Sequence, residues 1–159
     1  MVVVDRFILA SILVISIIIA WRFIPKEKAR DAFILYLVIQ FITWPTGLLV
    51  VEMKWIEYPI QLLPDDNHDY KSSIYFEFFL FPLTAILFNF HYPETKKLLF
   101  QVLYYLVIAG FFTAIEFMLE RYTKLVEYHQ WQWYWSYSSV IFVLFLSHTY
   151  YQWFKKGLG

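Results

Sequence analysis

FILASILVISIIIAWRF, residues Phe7 to Phe23, is an apolar run interrupted only by two serines until Arg22 near its far end. A helix needs about 20 mostly apolar residues to cross a hydrocarbon core of about 30 Å, and Val2–Val4 can extend this run to that length. Arg6 ahead of it is offset by Asp5. Arg22, Pro25 and Lys26 follow it, where a cleaved leader would carry small residues. The run therefore reads as a retained membrane span.

Outward from it, four further segments have the same character. They are Ala32 to Val51, Ile74 to Phe90, Leu98 to Leu119 and Tyr137 to Phe154. The second span (32–51) carries Gln40, Thr43 and the breaker Pro45-Thr46-Gly47; the third (74–90) carries Glu77, Pro82 and Asn89. Gln101 and Glu116 fall in the fourth (98–119), and His148 in the fifth (137–154). The 159 residues are 60% hydrophobic, 23% aromatic and 16% charged. A soluble domain has about 45–50% apolar residues and about a quarter charged. The expected fold is all-α: an integral membrane helical bundle of about five transmembrane helices forming a single transmembrane domain over 1–159. Short loops make neighbouring spans antiparallel.

Thirteen basic and thirteen acidic residues cancel, so no global field points to nucleic acid. The absence of cysteine excludes disulfides, thiolate metal sites and a cysteine nucleophile. Lys and Arg concentrate on the cytoplasmic side of membrane proteins. Arg22, Lys26, Lys28, Arg30, Lys96, Lys97, Lys155 and Lys156, eight of the thirteen, share one side. That places the N-terminus outside and the C-terminus in the cytoplasm. EYHQWQWYWS (Glu127–Ser136) then lies outside, with Trp131, Trp133 and Trp135 as an aromatic belt at headgroup level.

The acids inside the spans carry most of the functional content. Glu116 precedes Arg121 by five residues, a depth of roughly 7 Å below the outer edge, and Glu77 enters from the same side to roughly 9 Å. Pro45 and Gly47 fall in the same leaflet. A carboxylate facing lipid at mid-helix costs about 2.5–3.5 kcal/mol, so these acids should face the bundle interior, pair or take up a proton. Two of them close together in low dielectric would not both ionise. The expected pocket contains Glu116, Glu77, Glu120, Gln40, Thr43 and His148. In order of depth, the two acids, then Thr43 and Gln40, then His148 would form a relay across the bundle. The plainer reading is that such groups are packing glue worth about 0.6 kcal/mol each, with Glu116 and Glu120 paired to Arg121 or Lys124.

Other constellations are weaker. PDDNHDY (Pro64–Tyr70) has DDxxD spacing in Asp65, Asp66 and Asp69. It is single, follows a proline and falls in an exterior loop, so it reads as a solvated tip rather than a magnesium–diphosphate site. KEKARD (Lys26–Asp31) is an orientation signal that also attracts anionic headgroups. His129, Glu127 and the tryptophans could cage a quaternary amine, although interfacial anchoring is the better explanation of them. No G-x-S-x-G, H-E-x-x-H, P-loop or dinucleotide fingerprint occurs. No catalytic residue, metal site or cofactor is implied.

RFIPKEKARDAF (Arg22–Phe33), ITWPTGLLVVE (Ile42–Glu52), IEYP (Ile56–Pro59), FNFHYPE (Phe88–Glu94) and IEFMLERYTKLVEYHQWQWYW (Ile115–Trp135) resemble an uncharacterised family of small multi-spanning membrane proteins from spore-forming Gram-positive bacteria. The resemblance covers nearly the whole chain in five blocks. It implies a bacterial cytoplasmic membrane, or a spore membrane, and assigns no activity to any residue. Three functions compete. The first is a small transport, proton-coupling or ligand-binding protein built on the outer carboxylates. The second is a structural or accessory subunit whose partners, beyond the lipid bilayer, are a membrane protein or a second copy. The third is a lipid-modifying enzyme using the acids, His148 and DDxxD.

Overall fold

The computed structural model describes residues 2–60 and 76–157. It contains five α-helices: α1 (Val2–Phe23), α2 (Ala29–Glu52), α3 (Phe81–Phe90), α4 (Leu98–Tyr122) and α5 (Trp133–Gly157). The stretch Val3–Phe23, the stretch Lys26–Glu52 and helix α4 are long and apolar enough to cross a membrane. The apolar helix through α3 is shorter, Phe78–Phe90. Helix α5 has 25 residues, but Ser136, Ser139, Ser147, His148 and Gln152 are spread among its apolar positions.

The surface shows what these helices are built to meet. Trp21 is 81% exposed and Phe41 83%, and Phe7, Ile15, Leu37, Leu103, Phe111 and Phe145 are likewise outside. Such a continuous apolar exterior would be costly in water and suits lipid. Inside, Ile39, Ala85, Phe88, Ala109, Phe112, Val140 and Leu144 form the central core. Leu9 of α1 joins Ile56, Leu119, Leu125 and Val126 at one end. Ala32, Leu35, Ile86 and Tyr151 close the other.

Short connections make the helices alternate in direction. At the end where the α1–α2 and α3–α4 turns meet the last turns of α5, the Tyr151 hydroxyl donates to Asp31 Oδ2 at 2.8 Å and Gln152 donates to Glu94 Oε1 at 2.5 Å. At the opposite end, strands β1 (Ile56–Glu57) and β2 (Glu127–Tyr128) pair antiparallel, with Ile56 opposite Tyr128 and Glu57 opposite Glu127. This ladder ties the α2–α3 and α4–α5 connections together. Trp55 carbonyl extends it by accepting from the His129 and Gln130 amides at 3.0 and 3.3 Å.

A helix C-cap aims β1 at its partner. The Lys54 amide donates to Val51 carbonyl at 2.9 Å and the Trp55 amide to Val50 carbonyl at 3.1 Å. Lys54 sits at φ 56°, a position glycine usually takes because a Cβ is disfavoured there. The chain reverses at that residue and folds back over the helix ends.

One expectation is corrected. The break expected at Pro45-Thr46-Gly47 does not occur, and α2 runs straight through Pro45. Proline removes one donor, but hydroxyls engage the surrounding carbonyls: Thr43 donates to Ile39 at 2.9 Å, and Thr46 donates to Ile42 and Thr43 at 2.8 and 3.0 Å. Helices in apolar surroundings tolerate proline in this way. The irregularity lies in the third segment instead, where Phe76–Leu80 is wound as a π-helix before α3 begins. Pro82, buried at the start of α3, lacks the amide that an α-turn would need there. The three tryptophans are placed unequally, although the Trp131 and Trp135 rings lie 6.3 Å apart. Trp133 and Trp135, each 53% exposed, lie on the first turn of α5, while Trp131 precedes the helix and turns inward.

Candidate functional site

Helix α4 places Glu116 at 8% exposure, about one and a half turns before the helix ends at Tyr122. Its Oε1 accepts from the Tyr128 hydroxyl at 2.6 Å and from Ser136 Oγ at 2.9 Å. Trp131 Nε1 donates to the same Ser136 oxygen at 2.7 Å, which directs the serine proton to the carboxylate. Each donor comes from a different local structure: Tyr128 from β2, Trp131 from the connection and Ser136 from α5. The β1–β2 ladder holds Tyr128 over the carboxylate. Burial, and then the Glu116 carboxylate itself, push the Tyr128 phenol upward from its usual range, so Tyr128 remains a donor.

The carboxylate opens on a cavity of about 130 Å³. Thr43, Thr46, Ser136 and Ser139 supply hydroxyls, Trp131 and Tyr58 supply aromatic walls, and Phe81 and Val143 lie deeper. This is well below the roughly 300–1,000 Å³ of a pocket for drug-sized molecules. It has room for a few waters or one small ligand. Among the described residues, Glu116 forms no ion pair, and Oε2 receives no hydrogen bond.

The other expected site residues fall in different places. Thr43 is buried and lines the same cavity as Glu116. Gln40 is half-buried, three positions earlier on α2, and does not line it. Glu120 is half-buried; it adds to the negative field at Tyr128 and forms no ion pair with Arg121 or Lys124. Glu77 belongs to the π-helical turn, and its side chain lies outside the described residues, as do Asp65, Asp66 and Asp69.

His148 occupies a second cluster, near the α3–α4 turn. Its Nδ1 is 3.0 Å from Asn89 Oδ1, and its ring lies 3.9 Å from that of Tyr92. It lines a separate, larger cavity of about 430 Å³ with Tyr92, Gln101 and Tyr105. No residue lines both cavities.

Above the bundle, His129 Nε2 lies 3.4 Å from Glu57 Oε2. Glu57, Glu127 and His129 bring their ligand atoms within 4.8 Å of one another, a set that could hold a metal ion. Nearby, Trp131 packs on Trp55 with 6.1 Å between ring centroids.

Tyr128, Ser136 and Asn89 escaped assignment to these roles from sequence. Tyr128 and Ser136 lie 12 and 20 positions from Glu116, beyond any local pattern. Comparison of the chain with protein families, with curated proteins and with solved structures gives no match.

Proposed function

We propose that this chain is a multi-pass integral membrane protein that binds a small cation, proton-bearing or organic, at Glu116. Five segments cross the bilayer, the third of them ending in α3, with the N-terminus and the β-ladder outside and the C-terminus in the cytoplasm. The resemblance in sequence implies the bacterial cytoplasmic membrane or a spore membrane. One observation carries the functional reading: a buried carboxylate held at one oxygen by two hydroxyl donors, its other oxygen without a hydrogen bond among the described residues, beside a small, mainly apolar cavity into which a few hydroxyls project. Carboxylate and hydroxyl oxygens suit a hard cation, and the indole of Trp131 adds an attractive face for an organic ammonium. Intramembrane acids commonly mark substrate or proton sites, and transport or proton coupling would build on such a site.

The test is a methylammonium titration of the protein in nanodiscs, followed by tryptophan fluorescence with sodium chloride at matched ionic strength as control. A saturable change, lost in Glu116→Gln and kept in Glu120→Gln, is expected. An unsaturable response, or one unchanged in Glu116→Gln, sinks the reading.

A second reading, an accessory subunit, is favoured by the groove of about 350 Å³ along α4 and α5. Gly110 and Ala114 line it together with Trp133, and small residues allow another helix to approach closely. Stoichiometric co-purification of a partner, or a stable homo-oligomer, would support it.

A further inference from the structure

The inner cluster has a chemistry of its own. Asn89 is 5% exposed, and its Nδ2 donates to Ala85 carbonyl at 2.8 Å and to Ser147 Oγ at 3.1 Å. Ser147 is fully buried and donates onward to Leu144 carbonyl at 2.8 Å. A backbone carbonyl can only accept, so the amide orientation of Asn89 is fixed and its Oδ1 must be the acceptor facing His148. His148 Nδ1 therefore carries a proton. In the neutral ring this leaves Nε2 as the bare acceptor nitrogen, and among the described residues Nε2 has no hydrogen bond.

The ring lines the 430 Å³ groove, and the groove is amphipathic. Tyr92, Gln101, Tyr105 and His148 form its polar end, and Val102, Leu106, Ile141 and Phe145 its apolar run. Gln101 is committed to the α3–α4 turn, donating to Lys96 carbonyl at 3.1 Å and to Glu94 carbonyl at 3.2 Å. Its Oε1 accepts from the Tyr92 hydroxyl at 3.3 Å. Val102, Leu106 and Phe145 belong to the exposed apolar exterior, so the groove opens sideways, in the direction of the bilayer. Lys97, the residue before α4, and Lys155, near the end of α5, put its polar end close to the headgroup level.

We infer that this groove binds a membrane amphiphile whose head is a hydroxyl group, donating to His148 Nε2, with its apolar tail lying along α4 and α5. A hydroxyl fits because it can donate to the bare imidazole nitrogen, which a group without a proton cannot do; the Tyr105 phenol already donates to Tyr92. A lipid alcohol and a phenolic quinol share that chemistry. The site is independent of the Glu116 cavity, and Glu116→Gln should leave it intact.

The test uses the full chain, labelled with ¹⁵N-histidine, in phosphatidylcholine nanodiscs. The His148 signals are assigned by their loss in His148→Gln. Without ligand, a protonated Nδ1 and an unprotonated Nε2 are expected. Dioleoylglycerol and decylubiquinol are then added in separate arms. Saturable movement of the Nε2 signal supports the proposal: movement in one arm identifies the source, and movement in both identifies the shared hydroxyl. The O-methylated form of each probe should bind roughly tenfold or more weakly for want of the donor. Val102→Trp fills the tail run without touching the Asn89–His148 pair. It should abolish the movement while the Nδ1-protonated signal persists. No movement in either arm, equal movement with the methyl ethers, or an unprotonated Nδ1 overturns the inference.

Discussion

At the residue scale, Glu116 shows how a carboxylate is kept inside an apolar bundle. Tyr128 at 2.6 Å and Ser136 at 2.9 Å replace water at a single oxygen. Hydrogen bonds to charged groups contribute about 1.5–3 kcal/mol each. Tyr128→Phe should therefore lower the unfolding free energy in detergent by about that amount, and a denaturant titration reads it directly. In a Glu116→Gln background the same change should cost distinctly less, because the charge assisting the bond is gone; equal costs in both backgrounds would refute this account. The inward placement of Glu116 could be anticipated from sequence, since its cost in lipid is a local property of one helix. Its partners could not. Tyr128 and Ser136 are brought to it by the ladder and the helix pairing, which no spacing within α4 encodes. His148 is similar: it stands out as a polar residue in an apolar run, but Asn89 fixes its tautomer from 59 positions away.

At the element scale, the α3–α4 turn is latched to the end of α5. Glu94 Oε1 accepts from Gln152 and lies 3.6 Å from Lys155 Nζ. The Gln152 hydrogen bond first, and Lys155 in support, hold the Glu94 carboxyl below its ordinary value of 4.5. A carboxyl lowered in the folded state adds stability above its unfolded pKa and loses it as pH falls through the folded one. The latch should thus hold at neutral pH and release as pH drops below 4.5. Amide exchange in the last turn of α5 should then accelerate, after correction for the intrinsic pH dependence of exchange. Glu94→Gln should remove that pH dependence; its persistence would show that another group controls the turn. The ends of elements were less legible than their centres. The dipeptide Pro45-Thr46 suggests a break, yet α2 runs through it. The π-helical turn before Pro82 has no periodicity to announce it.

At the scale of the whole molecule, the proposed orientation rests on the apolar exterior and the uneven distribution of Lys and Arg, and both can be read from composition and order along the chain. They arise from the bilayer rather than from tertiary contacts, which is why the helices were largely predictable and the cavities were not. The chain has no cysteine, so single cysteines can map its threading without background. Lys124→Cys and Lys54→Cys should react with an impermeant maleimide in intact cells. Lys28→Cys, Lys97→Cys and Lys156→Cys should react only after permeabilisation, and the opposite pattern would invert the proposed topology.

The ladder between Ile56 and Tyr128 also sets an order of events during synthesis. Ribosomes deliver a chain N-terminus first, at about 5–20 residues per second. Thr43 and Glu116 emerge before Tyr128, Trp131 and Ser136 exist. The carboxylate is thus committed to its helix while still without its donors. The α5 wall of its chamber, Ser136, Ser139 and Val143, is made last. A nascent chain halted before residue 127 would contain four of the five helices and no finished site.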